Sequence, residues 1–506
     1  MEGLNLFMNQ NYLTKRLEKV SICIVFIFCL FSPLLFTSLK SGDLSVKEKR
    51  NLATFPDLKE NNSLNKNFCK EFKVWFEDHL GFRKEFINIS SWTKFKIFHL
   101  SPSEKVHIGK DGWYFYTQDH NTNIAVGDYP ITEQLLEEIL FCHKEMQKRL
   151  REKGIEYVVI LPTSKVSIYP EKMRIGKRKV IETPVDFVAD YLEKNSDIKV
   201  IRLKDCLLQE KKNRQVYYKT DTHWSHAGGY AAYKEILQKF QDWGFIPNDE
   251  MPIETNFYES LVMGEFEDMM GTRLPKEKIL LSDFKNTRAQ VNTDPKTDVF
   301  KEILGEDGVL RVDAARYFNN PSSQSKSVMI WGDSMFETGR LVTETLAENC
   351  SELYYVFSSN DGAVKERLLD ELKPDVFVYE STERYTNLVP TRILQYLSNE
   401  SKRPLGEYKN SYEQIEVFDD NINVTVKNTS NVSWDILNEV RMGIIYNGND
   451  IGKRVNLPVG KTITPGEIYT FVVPKSLIAG LDRNKVEFLM LQEGINYFEE
   501  KCGMAK

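Results

Sequence analysis

Val328-Met329-Ile330-Trp331-Gly332-Asp333-Ser334 is an apolar run that ends in a glycine, an acid and a hydroxyl. A short apolar run of this kind reads as a strand buried on both faces of a parallel sheet. The Gly-Asp-Ser that follows reads as a sharp turn at its carboxyl end, where open α/β sheets place their chemistry. Gly332 lets the backbone turn tightly, and free N–H groups at the start of a following helix could serve an oxyanion. The same residues also suit a plain helix N-cap, since Asp and Ser satisfy the unpaired N–H groups of a first turn.

The rhythm continues on both sides of this run. Downstream, the pattern predicts a helix over 337–348, a strand over 353–357, a helix over 364–372 and a strand over 376–379. Upstream, Leu135, Leu136, Ile139, Leu140, Met146 and Leu150 make one helix face, Gly154 ends it, and 157–161 is a strand. A helix over 185–192, a strand over 199–203 and a helix over 227–240 follow. Strands alternating with helices predict a parallel sheet sandwiched by helices. Residues 245–325 break the rhythm and read as a long insertion with room to cover a site. Beyond Pro404, short runs at 422–426, 440–446, 468–473 and 486–491, separated by turns such as Asn447-Gly448-Asn449 and Pro465-Gly466, predict a small all-β sandwich.

A length of 506 residues calls for two or three domains. With 41% hydrophobic and 28% charged residues the chain is globular, not disordered. The net charge of -6 and the lack of any Lys/Arg tract argue against nucleic acid as a partner. Lys15, Arg16 and Lys19 precede an uncharged run over 20–39, the length of a membrane-crossing helix. Charge on that side places 1–19 in the cytoplasm and the remainder outside. A cleaved signal peptide is the rival, although its apolar core is normally shorter and Phe36-Thr37-Ser38-Leu39 makes a poor cleavage site. Residues 40–67 read as a stalk, 68–403 as the α/β domain and 404–506 as the sandwich. Within the α/β domain, Phe68, Phe72, Trp75, Phe76 and Leu80 mark an amphipathic helix and 86–98 a second one. Cys23 and Cys29 lie in the apolar run. Cys69, Cys142, Cys206, Cys350 and Cys502 are dispersed, which fits free thiols better than a disulfide framework or a zinc site.

The second informative stretch is Asp221-Thr222-His223-Trp224-Ser225-His226. Serine is a weak nucleophile until an imidazole takes its proton, and the imidazole needs an acceptor to fix its tautomer. Asp221, His223 and Ser334 supply all three groups if the fold joins them, which would make an acyl-transfer or ester-hydrolysis site. Trp224 could wall a pocket there. A structural histidine is the plain alternative. Asp221, His223 and His226 also look like a partial metal-ligand set, but no second His or Cys cluster completes it.

Arg50-Asn51-Leu52-Ala53-Thr54-Phe55-Pro56, Asp78-His79-Leu80-Gly81-Phe82-Arg83, Gly109-Lys110-Asp111-Gly112-Trp113-Tyr114-Phe115-Tyr116, Thr220 to Ser225, Gly332-Asp333-Ser334 and Glu380-Ser381-Thr382-Glu383-Arg384-Tyr385 are spread over 45–390. Together they resemble the blocks of the DHHW and alginate O-acetyltransferase-like group, whose fold is a permuted SGNH hydrolase. Thr222 stands where that group has a second histidine, a departure that spares the triad positions. The resemblance implies Ser334 as nucleophile, His223 as general base and acid, and Asp221 as the orienting carboxylate. It implies an exported or membrane-tethered O-acetyltransferase with a polysaccharide acceptor, needing no cofactor and no metal of its own. A separate multi-span membrane O-acyltransferase would supply the acetyl group. Arg384 follows a strand end and could face the substrate, or pair with Glu380 or Glu383. Ser358, Ser359, Asn360 and Gly362 could donate to an oxyanion. Asp78, His79, Trp113 and Tyr114 read as structural. In the sandwich, Trp434 and Tyr446 could stack on sugar or fill the core. A carbohydrate esterase with the same triad, or a non-catalytic polysaccharide-binding protein, are the rival functions.

Overall fold

The computed structural model describes residues 50–60, 63–175, 182–291, 316–357 and 366–503, with short pieces at 19–24, 26–28, 31, 44–45, 298 and 302. The chain forms two compact units, one of residues 1–108 and 263–276, the other of 109–262 and 277–506. Most of the expected span over 20–39 lies outside the described residues; 20–24, 26–28 and 31 are helical. No helix among the described residues is long and apolar enough to cross a membrane.

In the first unit, helix α1 (Phe68–His79) buries Trp75, Asp78 and His79. Asp78 accepts a hydrogen bond from the Ala53 N–H at 2.9 Å, and the His79 ring is 2.8 Å from the Trp75 carbonyl, so both serve structure. Helix α2 (Arg83–Lys96) follows.

The second unit is built on a seven-stranded sheet. In chain order its elements are α3 (Glu133–Glu152), β1 (Glu156–Leu161), α4 (Pro184–Asn195), β2 (Lys199–Arg202), α5 (His226–Asp242), the hairpin β3 (Phe257–Val262) and β4 (Glu277–Ser282), β5 (Gln290–Val291), β6 (Arg316–Asn319), β7 (Val328–Gly332), α6 (Val342–Ala347), β8 (Glu352–Phe357), α7 (Glu366–Leu372), β9 (Val376–Glu380) and α8 (Val389–Ser401). The sheet order is β5-β6-β8-β7-β9-β1-β2. Five strands from β8 to β2 are parallel. The expected all-parallel sheet is therefore corrected at one edge, where β6 and β5 run antiparallel. Their polar ends, Arg316 and Asn319, suit an edge that one neighbour leaves partly open.

Alternation along the strands builds two cores. Val158, Ile160, Val328, Ile330, Val376 and Val378 point to α5 and α6. Their neighbours Tyr157, Val159, Met329, Trp331, Phe377 and Tyr379 point to α3, α4, α7 and α8. Helices therefore cover both faces, as the doubly buried strands require. Helix starts are capped by the residues that sequence favours: Thr132 accepts from Leu135 N at 3.1 Å, and Thr183 with Asp186 forms a capping box.

The C-terminal region is β-rich. One sheet orders β10 (Asn410–Val417), β11 (Asn421–Asn428) and β14 (Ile468–Pro474). The other orders β13 (Asn449–Asn456), β12 (Val440–Tyr446), β15 (Val486–Gln492) and β16 (Asn496–Gly503). Both are antiparallel and share a core of Ile422, Val424, Phe471, Met442, Phe488 and Trp434. Trp434 is fully buried, its indole N–H 3.3 Å from Ser430 Oγ, so of the two expected roles it fills the core. Tyr446 is half-buried against the same core. The described cysteines are free thiols, with Cys142 and Cys350 buried.

Candidate active site

The loop that carries Asp221 and His223 is closed at its base. Tyr217 and Trp224 form an antiparallel bridge, Ser225 N donates to Val216 O at 2.9 Å, and Tyr218 N donates to His223 O at 3.3 Å. Ser225 then caps α5 by accepting from Gly228 N. A Cβ on Gly229 would lie 2.0 Å from the Arg340 carbonyl, so a glycine is needed there for the 340 segment to press against the helix start.

From the other side, Glu277 on β4 fixes the rising arm of the loop. Its carboxylate accepts from Lys219 N at 2.8 Å, Thr220 N at 3.0 Å, Thr220 Oγ1 at 2.7 Å and Gln215 Nε2 at 3.1 Å. The end of the same strand holds His226, whose Nδ1 accepts from Ser282 N at 2.9 Å. Lys165, buried after β1, donates to the carbonyls of Tyr114, Lys219 and Asp221 at 2.6, 3.0 and 3.0 Å.

Ser334 sits just past the end of β7. The structure brings the three sequence-predicted groups together. His223 Nε2 lies 2.8 Å from Ser334 Oγ, and His223 Nδ1 lies 2.6 Å from Asp221 Oδ1. Asp221 Oδ1 also accepts from the His223 backbone N–H at 3.0 Å. His223 is buried, while Asp221 and Ser334 are partly accessible. Burial works to raise the Asp221 pKa, but the hydrogen bond and charge of His223, with Arg340 nearby, outweigh it and hold the carboxyl well below the ordinary range. An ionised carboxylate on Nδ1 leaves Nε2 free to accept a proton from the serine, which is the arrangement acyl transfer requires. Of the alternative metal set, Asp221 and His223 lie together, but His226 accepts the Ser282 N–H through Nδ1 and does not join them.

The helix expected over 337–348 begins only at Val342, so no helix start follows Ser334 directly. Positive φ angles at Gly339 (90°) and Leu341 (73°) break the path. The turn is held by side chains instead. Asp333 N donates to Glu380 Oε2 at 2.7 Å, Asp333 O accepts from Tyr355 OH at 2.7 Å, and the Asp333 carboxylate accepts from Thr382 N, Thr382 Oγ1 and Met335 N at 2.9, 2.9 and 3.0 Å. Glu383 extends this to β1 by accepting from Ser164 N at 2.9 Å and Ser167 Oγ at 2.7 Å. The Ser334 N–H has no hydrogen bond among the described residues.

Of the other expected contacts, Trp224 is corrected. It has no exposed surface and packs beside Phe336 at 5.8 Å between ring centroids, so it stabilises the loop from within and cannot touch a substrate. Arg384 is 8% exposed, lies over the Tyr385 and Tyr116 rings at 4.8 and 5.8 Å, and lines a small pocket with Thr222, Met335 and Lys165. Ser358, Ser359, Asn360 and Gly362 lie outside the described residues. Lys165, Glu277 and Tyr355 went unread in the sequence, and Glu380 was read only as a possible partner of Arg384. Glu380 alone had a signal, at the head of a quoted block; the others act across long separations.

The Ser334 turn thus lies at the carboxyl ends of a parallel sheet, where open α/β folds place their chemistry. Residues 106–320 match the family described as SGNH hydrolase-like domain, acetyltransferase AlgX. The match includes Asp221 and His223 and stops short of Ser334. A probable alginate O-acetylase AlgJ from Pseudomonas fluorescens is 26% identical over 183 residues, covering 35% of this chain and 44% of the relative. Its counterpart from Pseudomonas aeruginosa is 26% identical over 167 residues, covering 33% and 40%. The chain thus spans less than half the length of these curated relatives. Among solved structures, the O-acetyltransferase domain of Pseudomonas putida AlgJ is similar at 16% identity and TM-score 0.38, covering 56% of this chain and 92% of that one. Bacillus cereus PatB1 is similar at 15% identity and TM-score 0.39, covering 55% and 95%.

Proposed function

We propose that this chain is an O-acetyltransferase that acts on hydroxyl groups of an extracytoplasmic polysaccharide through a serine acyl-enzyme. The observation that carries the reading is the continuous chain Asp221–His223–Ser334, with contacts of 2.6 and 2.8 Å. His223 Nε2 takes the proton as Ser334 Oγ attacks the acetyl carbonyl, and returns it to the leaving oxygen of the donor. A sugar hydroxyl then attacks the acetyl-serine, His223 accepts its proton, and Ser334 is released with that proton. The unengaged Ser334 N–H is one donor for the oxyanion in both steps. The names of the AlgJ relatives support a polysaccharide acceptor.

The apolar run over 20–39 is proposed as the membrane anchor, with the site outside the cell membrane. Val20, Ile22, Ile24, Phe26, Phe28 and Phe31 are all at least half exposed, which suits lipid contact. A multi-span membrane acyltransferase is the proposed acetyl source, because the chain has no coenzyme A motif. The test incubates the soluble portion from residue 41 onward with an activated acetyl ester and follows intact mass. A Ser334-dependent acetyl adduct that oligosaccharide discharges, with the oligosaccharide becoming acetylated, is expected. Full transferase activity in Ser334→Ala would refute the proposal, and discharge to water alone would make the protein an esterase.

A further inference from the structure

We infer that Glu380 is a positioning residue that works as a neutral carboxylic acid, setting the Ser334 turn through the Asp333 N–H. This rests on the serine acyl-enzyme reading above and extends it to a residue outside the triad.

Glu380 ends β9, the strand beside β7, and is 2% exposed. Its Oε2 accepts the Asp333 N–H at 2.7 Å, one residue before the nucleophile. Its Oε1 has no hydrogen-bond partner among the described residues. The same Oε2 explains why residue 332 is glycine: a Cβ there would sit 2.5 Å from it. The carboxyl therefore occupies the space under the turn that the missing side chain vacates.

Three observations favour the neutral form. The group is fully enclosed, it receives a single hydrogen bond, and the Asp333 carboxylate stands close by. The Asp333 carboxylate takes three hydrogen bonds, against one for Glu380. Burial and the neighbouring Asp333 carboxylate both disfavour negative charge on Glu380, so the proton resides there. The titratable and charged groups whose fields reach Glu380 are Asp333 from the nucleophile turn, Tyr379 from its own strand, Arg384 from the following turn and Arg392 from α8. Burial and Asp333 together outweigh the two guanidinium groups and push its pKa well above the ordinary carboxyl value.

The consequence for chemistry is directional. An acid that is neutral beneath the turn accepts the Asp333 N–H without adding negative charge behind the Ser334 N–H. Ionisation at high pH would place a negative charge against the developing oxyanion and repel Asp333. Activity should therefore lose an alkaline limb when Glu380 deprotonates, and an uncharged isostere should keep it.

The test compares the wild-type chain with Glu380→Gln and Glu380→Ala, using phenylmethylsulfonyl fluoride as the probe and intact mass at Ser334 as the readout across pH. Glu380→Gln should react within about threefold of wild type at neutral pH and hold its rate to higher pH. Glu380→Ala should react about 100-fold more slowly, the scale of a misplaced reacting group. Hydrogen exchange at the Asp333 amide reads the clasp without any chemistry: it should quicken in Glu380→Ala and stay slow in Glu380→Gln. Should Glu380→Ala fail to fold, the pH profile of Glu380→Gln decides. Equal rates in wild type and Glu380→Ala, or a Gln variant as slow as the Ala variant, would overturn the inference. Absence of any Ser334 adduct in wild type would instead sink the acyl-enzyme reading, leaving the amide exchange to judge Glu380.

Discussion

Replacing Glu277 by alanine tests how the loop that carries Asp221 and His223 is held. Glu277 lies 57 residues from Thr220 along the chain, yet its carboxylate accepts the N–H groups of both Lys219 and Thr220 and the Thr220 hydroxyl. Thr220 is buried and immediately precedes Asp221. A buried donor left without an acceptor costs about 1–3 kcal/mol. Four donors lose this acceptor, but Gln215 Nε2 keeps the Tyr217 carbonyl and water can enter the space left by the carboxylate, so a net cost of about 3 kcal/mol to the closed loop is expected. At about 1.4 kcal/mol per factor of ten, the open form gains roughly 100-fold in population. The loss is local, so the global melting temperature should move little. Hydrogen exchange at the Lys219 and Thr220 amides should accelerate by about 100-fold. Release of acetyl from an activated ester should slow by at least about tenfold, because His223 no longer keeps its distance to Ser334. Glu277→Gln should fall between the two, since one of its ends turns an NH2 toward a backbone N–H. Unchanged amide exchange in Glu277→Ala would refute the reasoning, and so would fast exchange with undiminished turnover.

Two further outcomes follow from the same geometry. Asp221→Asn keeps the shape but lets an amide NH2 face His223 Nδ1, favouring the tautomer that carries its proton on Nε2; turnover should drop by about 10⁴-fold with near-normal substrate affinity, checked by steady-state kinetics. Glu348 is buried and accepts from Asn286 Nδ2, Thr287 N, Arg288 N and Ala289 N at 2.8, 3.0, 2.9 and 3.1 Å. Burial alone would raise its pKa, but the Asn286 amide and these N–H groups outweigh burial and lower it. A carboxylate held low contributes stability that is present above its ordinary pKa and lost as pH falls through the folded value. Acid should therefore loosen residues 286–289 first, and Glu348→Gln should make the protection of their amides, relative to the intrinsic exchange rate at each pH, nearly constant across that range.

The legible parts of the chain share a property: their signal is local. Val328 to Ser334 carries its strand, turn and hydroxyl in seven consecutive residues, and Asp221 and His223 lie two apart. What was missed needed distant partners. The three unread sandwich strands, Asn410–Val417, Asn449–Asn456 and Asn496–Gly503, are all edges of their sheets. Each faces solvent along much of its length, so polar residues replace the alternation that marked the central strands. The late start of α6 depends on a left-handed Leu341, a conformation that leucine gives no hint of adopting. Trp224 drew attention as a candidate pocket wall because an aromatic beside a catalytic group reads either way until its burial is known.

Strand order supplies the link between the motifs that sequence order scatters. β7 lies beside β9, and β9 beside β1, so the segments after these three strands meet at one end of the sheet. Ser164 and Ser167 after β1 donate to Glu383; Glu383 shares a turn with Thr382; Thr382 donates to Asp333, which precedes Ser334. The polar block over 380–385 is thus a cross-strand brace between two loops that carry no contact of their own in sequence. Its two acids differ in what they receive. Glu383 takes an N–H and a hydroxyl from the segment after β1, whereas Glu380 takes the N–H of Asp333 in the turn after β7. The position of each acid relative to the sheet, and not its identity, therefore decides which loop it holds: Glu383 the one after β1, Glu380 the one that carries Ser334.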